Sequence, residues 1–196
     1  MPAALPEGGT VRPIVRWNDP VLHHKLEPVT QFDEDLRTLV ADLTATMRAA
    51  DGVGLAACQV GRQLAVFVFD CADAGGAYQS GVVCNPELYL PVGKHRRLDE
   101  SEEGCLSLPG AFTSCARPDY ARVDGQDADG RPVSYAGDGL LARCLQHETD
   151  HCNGTVFADR LRKRTRKRLD RQAAAVAHQY PEDWPVTPAT REPAVG

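Results

Sequence analysis

The chain has 196 residues, with 22 Lys and Arg against 27 Asp and Glu, a formal net charge of −5, 42% hydrophobic and only 6% aromatic residues. That is the composition of a globular domain, and the length favours a single domain with room for a tail. No apolar run approaches the roughly 20 residues that a bilayer span needs, which excludes a membrane-spanning helix. The opening residues, MPAALPEGGTVRP, lack the charged start and apolar stretch of a secretory signal and the Arg/Ser-rich pattern of a transit peptide, so a cytoplasmic location is expected. The seven cysteines cannot all pair within one chain and read as reduced thiols, a metal ligand, or both.

In chain order, residues 1–12 are rich in Pro and Gly and read as irregular. Phe32, Leu36, Leu39, Val40, Leu43 and Met47 recur at helical spacing and predict a helix over 31–51, capped by Thr30 with Asp33 and stopped at Asp51-Gly52. Leu64–Asp70 reads as a buried strand. Residues 81–90 hold one or two short strands interrupted at Asn85-Pro86. A hairpin is expected over 119–136, with Asp129-Gly130 supplying the positive φ of its turn. A second helix runs over 139–152, entered from Gly137-Asp138-Gly139 and ended by Asn153-Gly154. A third is expected over about 159–179. From Pro181, with Pro185, Pro188 and Pro193 following, a loose tail is predicted. Helix, several strands, then helix is the pattern of an α+β fold, with mixed or antiparallel strands packed around the second helix and a C-terminal helix beyond them.

The charge is unevenly spread. Residues 160–171, RLRKRTRKRLDR, carry six Arg and two Lys against Asp170, a local +7 that leaves −12 for the rest of the chain. One basic stripe on an acidic body does not make a general DNA-binding surface. It reads either as a solvated helix face or as a contact with a polyanion such as RNA.

The second helix contains His147-Glu148-Thr149-Asp150-His151. The H-E-x-x-H spacing puts both imidazoles on one helical face, where they can bind one metal ion, with the intervening Glu placed to deprotonate a water. Leu140, Leu141, Cys144 and Leu145 set an apolar stripe nearby, so the histidines are expected to be partly buried and in need of partners. A catalytic site also needs a third protein ligand and an open position. The extended pattern H-E-x-x-H-x-x-G-x-x-H fails at Phe157. The later glutamates, Glu182 and Glu192, lie in the Pro-rich stretch, a poor place to fix a ligand. The third ligand is therefore to be sought upstream.

Two upstream motifs stand out, Gly52-Val53-Gly54-Leu55-Ala56-Ala57-Cys58-Gln59 and Glu103-Gly104-Cys105-Leu106-Ser107. The first could be mistaken for a dinucleotide loop, but it follows a helix rather than a strand, and Ala57 replaces the last Gly. Taken with Gln146-His147-Glu148-Thr149-Asp150-His151, the three motifs in this order and at these separations resemble the peptide deformylase family over about residues 12–160. Asp19-Pro20-Val21-Leu22, Asn85-Pro86 and Asp159-Arg160 extend the likeness. It suggests a catalytic part over 1–161, with a basic helix and Pro-rich tail over 162–196 as part of the same domain or as an appendage.

The resemblance implies a metal-dependent amidohydrolase that removes the N-formyl group from the initiator methionine of nascent polypeptides and releases formate. Cys105, His147 and His151 would hold the metal. Glu148 would be the general base and acid, and Gln59 with the backbone N–H of Leu106 would stabilise the oxyanion. Val53, Gly54, Gly104, Leu140, Arg143 and Cys144 would bind the substrate, Arg143 laying its aliphatic stem along the methionine pocket while its charge reaches water. Glu103 and Arg117 would pair in support of the site. The family's usual metal is ferrous iron, with zinc, nickel or cobalt in some preparations. In some relatives a basic C-terminal helix contacts the ribosome, a role that residues 160–171 would suit electrostatically.

These residue types suit the chemistry. One thiolate and two neutral imidazoles leave a divalent site with a residual positive charge, which acidifies water from about 15.7 to about 7 in zinc enzymes. Gln59 offers an N–H donor to the developing oxyanion, typically worth about 3–4 kcal/mol. One carboxylate can carry the proton from water to the leaving amine. Softness and affinity do not choose among zinc, iron, cobalt and nickel. Cys152, where the family has an apolar residue, reads as a small hydrophobe or as a second thiol near the metal. Cys58, Cys71, Cys84, Cys115, His23, His24, His95 and His178 have no ligand-like placement. The rival readings are a different H-E-x-x-H peptidase, and a deformylase-like binding module that has lost catalysis. The second is disfavoured because Gln59, Cys105, His147, Glu148 and His151 are all intact.

Overall fold

The computed structural model describes residues 5–190. Its helices are α1 (Glu34–Ala49), α2 (Gly139–Cys152) and α3 (Lys163–Val176). Its strands are β1 (Gly54–Ala56), β2 (Val66–Ala72), β3 (Tyr78–Tyr89), β4 (Leu98–Asp99), β5 (Glu102–Cys105), β6 (Leu108–Ser114), β7 (Arg117–Pro118), β8 (Tyr120–Gln126) and β9 (Pro132–Asp138). A five-stranded sheet has the order β1-β2-β3-β8-β9, and β4 with β7 and β5 with β6 form two-stranded sheets. These strand pairs are all antiparallel, as an α+β fold requires.

The apolar run predicted as a strand is buried on both faces. Successive side chains of a strand point to opposite faces. Val66 and Val68 accordingly join the core beneath α1, with Leu36, Leu39, Val40, Leu43 and Met47. Phe67 and Phe69 join the core beneath α2, with Leu141, Ala142 and Leu145. The large sheet is thus the middle layer of three. Helix α2 packs on β1, β2, β3, β8 and β9, and this central position buries nearly its whole circumference.

Several boundaries differ from the sequence reading for local reasons. Asp33 alone caps α1, its carboxylate accepting the Leu36 N–H, and Asp51 turns the chain out at φ 52°. Asn85-Pro86 does not divide a strand. β3 runs through it with a bulge between Cys84 and Glu87. Asn85 adopts φ 54°, which Asn tolerates, and its side-chain amide bonds both backbone groups of Val29. The β8–β9 hairpin turns at Gly130, φ 78°, as expected. The third helix is shorter than 159–179. A 3-10 turn over Phe157–Arg160 comes first, with Asp159 accepting the Val156 N–H, and Leu161 and Arg162 are extended before α3 begins.

The largest departure is the chain's end. The segment after Pro181 was expected to be loose, yet as far as residue 190 it folds back on the body. The Ile14 N–H donates to the Trp184 carbonyl at 2.9 Å, and Arg16 Nη2 donates to the carbonyls of Tyr180 and Pro181. Trp184 is buried, with its ring edge-on to Tyr180. Burial of an aromatic ring outweighs the low helix and strand propensity of a Pro-rich stretch, and proline's restricted backbone lowers the entropy cost of ordering it. Pro193 lies outside the described residues, as do residues 1–4 of the irregular N-terminal stretch. Residues 5–12 carry no regular element. Among the described residues, no helix is long and apolar enough to cross a membrane.

Candidate metal centre and substrate cleft

Helix α2 is a paradox by composition. It buries Arg143, Gln146, His147, Glu148, Thr149, Asp150 and His151 along with its apolar residues. Buried polar groups are costly unless paired, so their partners reveal what the helix is for.

The ligand atoms of Cys105, His147 and His151 all lie within 4.8 Å of one another, and all three residues are buried. β5 delivers Cys105 at its end, where the pairing with β6 shifts register between Gly104 and Cys105. One turn of α2 separates the histidines, whose rings meet edge-on at 4.9 Å. His147 Nδ1 lies 2.7 Å from Glu103 Oε1. That carboxylate fixes the proton on Nδ1 and leaves Nε2 as the donor, the usual arrangement behind a ligating histidine. His151 Nε2 faces the Cys105 sulfur at 3.3 Å. Burial pulls the His147 pKa down, but Cys105 and Glu103 outweigh it and the net shift is upward. Burial, with His147 adding, holds His151 well below the usual range and therefore neutral. A thiol and two imidazoles converging on one point, one of them oriented by a carboxylate, fit a divalent transition metal.

Glu148 is buried, and its Oε2 has no hydrogen-bond partner among the described residues. Burial raises its pKa to about 7, with Glu103 and Asp150 adding and His147 and Arg117 opposing. The carboxylate lies against β1 because Gly54 has no side chain there. A Cβ at Gly54 would stand 2.5 Å from Glu148 Oε1 and 2.8 Å from Cys144 Sγ. Gln59 is oriented by its own backbone neighbourhood. Its Oε1 accepts the Ala56 N–H at 3.0 Å, so Nε2 is aimed at Ser107 Oγ, 3.2 Å, and Cys105 Sγ, 3.6 Å. Among the described residues, Gln59, Cys105, Leu106, His147 and Glu148 line a single cleft, and His151 joins them through its contact with the Cys105 sulfur.

The expected substrate residues Val53, Gly54, Gly104, Leu140, Arg143 and Cys144 also line this cleft, whose volume is about 590 Å³. Leu140 and Val53 stand at its exposed rim rather than in the core. Gly104 lets the Phe112 ring close over β5, since a Cβ there would meet the ring at 2.4 Å. Arg143 is a correction: its charge does not reach water. The side chain is buried, and Nη1 donates to Glu103 Oε2 at 2.8 Å and to the Cys115 carbonyl at 2.7 Å, while Nη2 donates to Asp99. A negative partner at Glu103 makes this burial tolerable.

Glu103 is the hub of a buried ionic network. Arg117 forks onto it at 2.6 and 2.7 Å and reaches Asp150 Oδ2 at 2.9 Å. Arg160 in turn forks onto Asp150. Burial alone would raise the Glu103 pKa, but the bonds to Arg117 and His147 hold it far below the carboxylate range. The Glu103–Arg117 pair was expected. The contacts of Asp150, Arg160 and Ser107 are not anticipated by the sequence, although all three residues lie within the segments that carry the family likeness. Burial raises the thiols of Cys58 and Cys152, so both are neutral, and neither joins the metal cluster. Cys152 behaves as a small apolar residue.

Comparison with known proteins agrees with this geometry. The family model described as Polypeptide deformylase matches residues 11–167. Peptide deformylase 1 of Streptomyces avermitilis is 53% identical over 179 residues, covering 91% of this chain and 83% of that protein. Peptide deformylase 2 of Streptomyces coelicolor is 49% identical over 166 residues, covering 85% of this chain and 91% of that one. The crystal structure of a peptide deformylase from Legionella pneumophila superposes with a TM-score of 0.75 at 41% identity, over 85% of this chain and 95% of its own. A peptide deformylase from Synechococcus elongatus in complex with actinonin gives 0.75 at 33% identity, over 88% and 91%. With its buried Cys-His-His cluster, its adjoining glutamate and a match that spans most of its length, this chain belongs to the peptide deformylase family.

Proposed function

We propose that Cys105, His147 and His151 hold one ferrous ion, and that Glu148, Gln59 and Leu106 carry out removal of the formyl group from the methionine of nascent chains. The observation that carries this is the convergence of the three donor atoms beside a buried, unpartnered Glu148 oxygen. When bound, the ion supplies a Lewis acid next to that carboxylate. Glu148 takes a proton from the attacking water at its free oxygen and returns it to the departing amine. A carboxyl poised near neutral pH is well matched to both steps. The Gln59 amide, already locked with its N–H groups toward Cys105, donates to the oxyanion together with the Leu106 backbone N–H. The substrate places the enzyme in the cytoplasm. Prepared without oxygen and loaded with ferrous iron, the protein is expected to release formate from formyl-Met-Ala-Ser, and Cys105→Ala is expected not to. Equal release by both would remove Cys105 from the metal site.

The exposed face of α3 is proposed as a contact for ribosomal RNA. Lys163, Arg164, Lys167 and Arg171 point outward, whereas Leu169 enters the core against β6. Deleting the helix would therefore unfold more than a surface. Replacing Lys163, Lys167 and Arg171 by Glu together is expected to weaken ribosome binding by about tenfold or more at low salt while peptide turnover persists. Unchanged ribosome affinity would leave the stripe as a solvated face.

A further inference from the structure

The cleft has a second wall that the reacting groups do not supply. Gln179, Tyr180, Trp184, Pro188, Ala189 and Thr190 border the same cavity as His147 and Glu148, and none of the six carries a formal charge. We propose that this C-terminal segment forms a subsite for the stretch of peptide that follows the formyl-methionine, accepting small or apolar uncharged side chains.

The segment is held in place. Trp184 is buried in the core beneath α1, its carbonyl accepts the Ile14 N–H, and Arg16 ties down the carbonyls of Tyr180 and Pro181. The Thr190 N–H donates to the Gln179 carbonyl at 2.8 Å and closes the segment into a loop. A strap that lifted to admit substrate would have to break these contacts, so the geometry describes a wall and not a lid. Tyr180 also docks on the strand paired with the one that bears Cys105. It packs over Gly110 of β6, φ +74°, where a Cβ would meet its ring and hydroxyl at 3.0 Å. The wall and the ligand-bearing hairpin are therefore in direct contact.

The direction of the substrate follows from burial. Glu148 is buried, whereas Pro188 and Thr190 are exposed members of the same lining, as are Val53, Phe112 and Leu140 from the other segments that border the cleft. A polypeptide whose formyl group reaches Glu148 must leave the cavity past exposed lining. The aromatic, Pro and Ala side chains of the C-terminal segment suit uncharged side chains on that wall, while the exposed carboxylates of the lining, Asp51 and Glu102, belong to other segments. This inference rests on Glu148 marking the reacting end.

The test uses the full chain with its metal and two substrates, formyl-methionine amide and formyl-Met-Ala-Ser. The readout is the ratio of kcat/KM for the longer substrate to that for the shorter. A ratio cancels any loss of folded or metallated enzyme. Ala189→Trp, which fills the wall, and Tyr180→Ala, which removes part of it, are each expected to lower the ratio by about threefold or more. Ratios within about twofold of the parent in both variants would overturn the subsite. A parent that turns over neither substrate would instead overturn the reading of Glu148 on which it rests.

Discussion

Glu148→Ala is expected to retain its metal ion and to lose deformylation by a factor of about 10²–10⁴, the usual range for a positioned general acid–base. The two effects separate because Glu148 lies outside the ligand cluster. Its Oε2 has no protein partner among the described residues, so removing it strands no donor in the interior. Metal content measured beside formate release from formyl-Met-Ala-Ser decides the matter. Near-parental turnover at full metal content would exclude Glu148 from proton transfer. Loss of the metal together with activity would make it a structural support of the cluster instead.

The second large effect is expected at a residue that touches no reacting atom. Glu103→Ala leaves Arg117 and Arg143 without the carboxylate that both contact, and frees Nδ1 of His147. Breaking a buried ion pair by deleting one partner typically costs about 3–5 kcal/mol, because the other charge stays behind. Loss of the carboxylate behind a ligating histidine typically weakens metal affinity by about 10–100-fold. Denaturant unfolding and a chelator competition should show both losses in the same variant. A loss of stability with unchanged metal affinity would mean that the orientation of His147 is set by α2 itself, not by Glu103.

What could be read in the sequence divides along physical lines. Helices α1 and α2, strand β2 and the final hairpin were legible because each is governed by a local rule: apolar spacing, a double-faced apolar run, or Gly at a turn. The convergence of Cys105, His147 and His151 was legible because H-E-x-x-H puts two imidazoles on one helical face, and the resemblance pointed to the cysteine. Arg143 was misjudged because its partner Glu103 lies 40 residues away in sequence, and no local pattern announces a buried countercharge. Asn85-Pro86 was read as a break because an isolated sequence does not show the backbone of Val29 that the Asn85 amide satisfies. The C-terminal segment was read as loose because its order comes from residues near the opposite end of the chain. Composition argues for disorder there, and the buried Trp184 together with the bonds from Ile14 and Arg16 reverses it.

That last contact has a kinetic side. Arg16 and Pro181 are 165 residues apart in sequence. Joining them closes a loop that spans nearly the whole protein, and the entropy of such a closure is recovered only after the intervening parts have formed. The hairpin of Cys105 and the helix of the two histidines form from closer segments. Cys105 and His151 are only 46 residues apart, so their cluster is expected to form before the closure that docks Trp184, an order that hydrogen exchange during refolding would check.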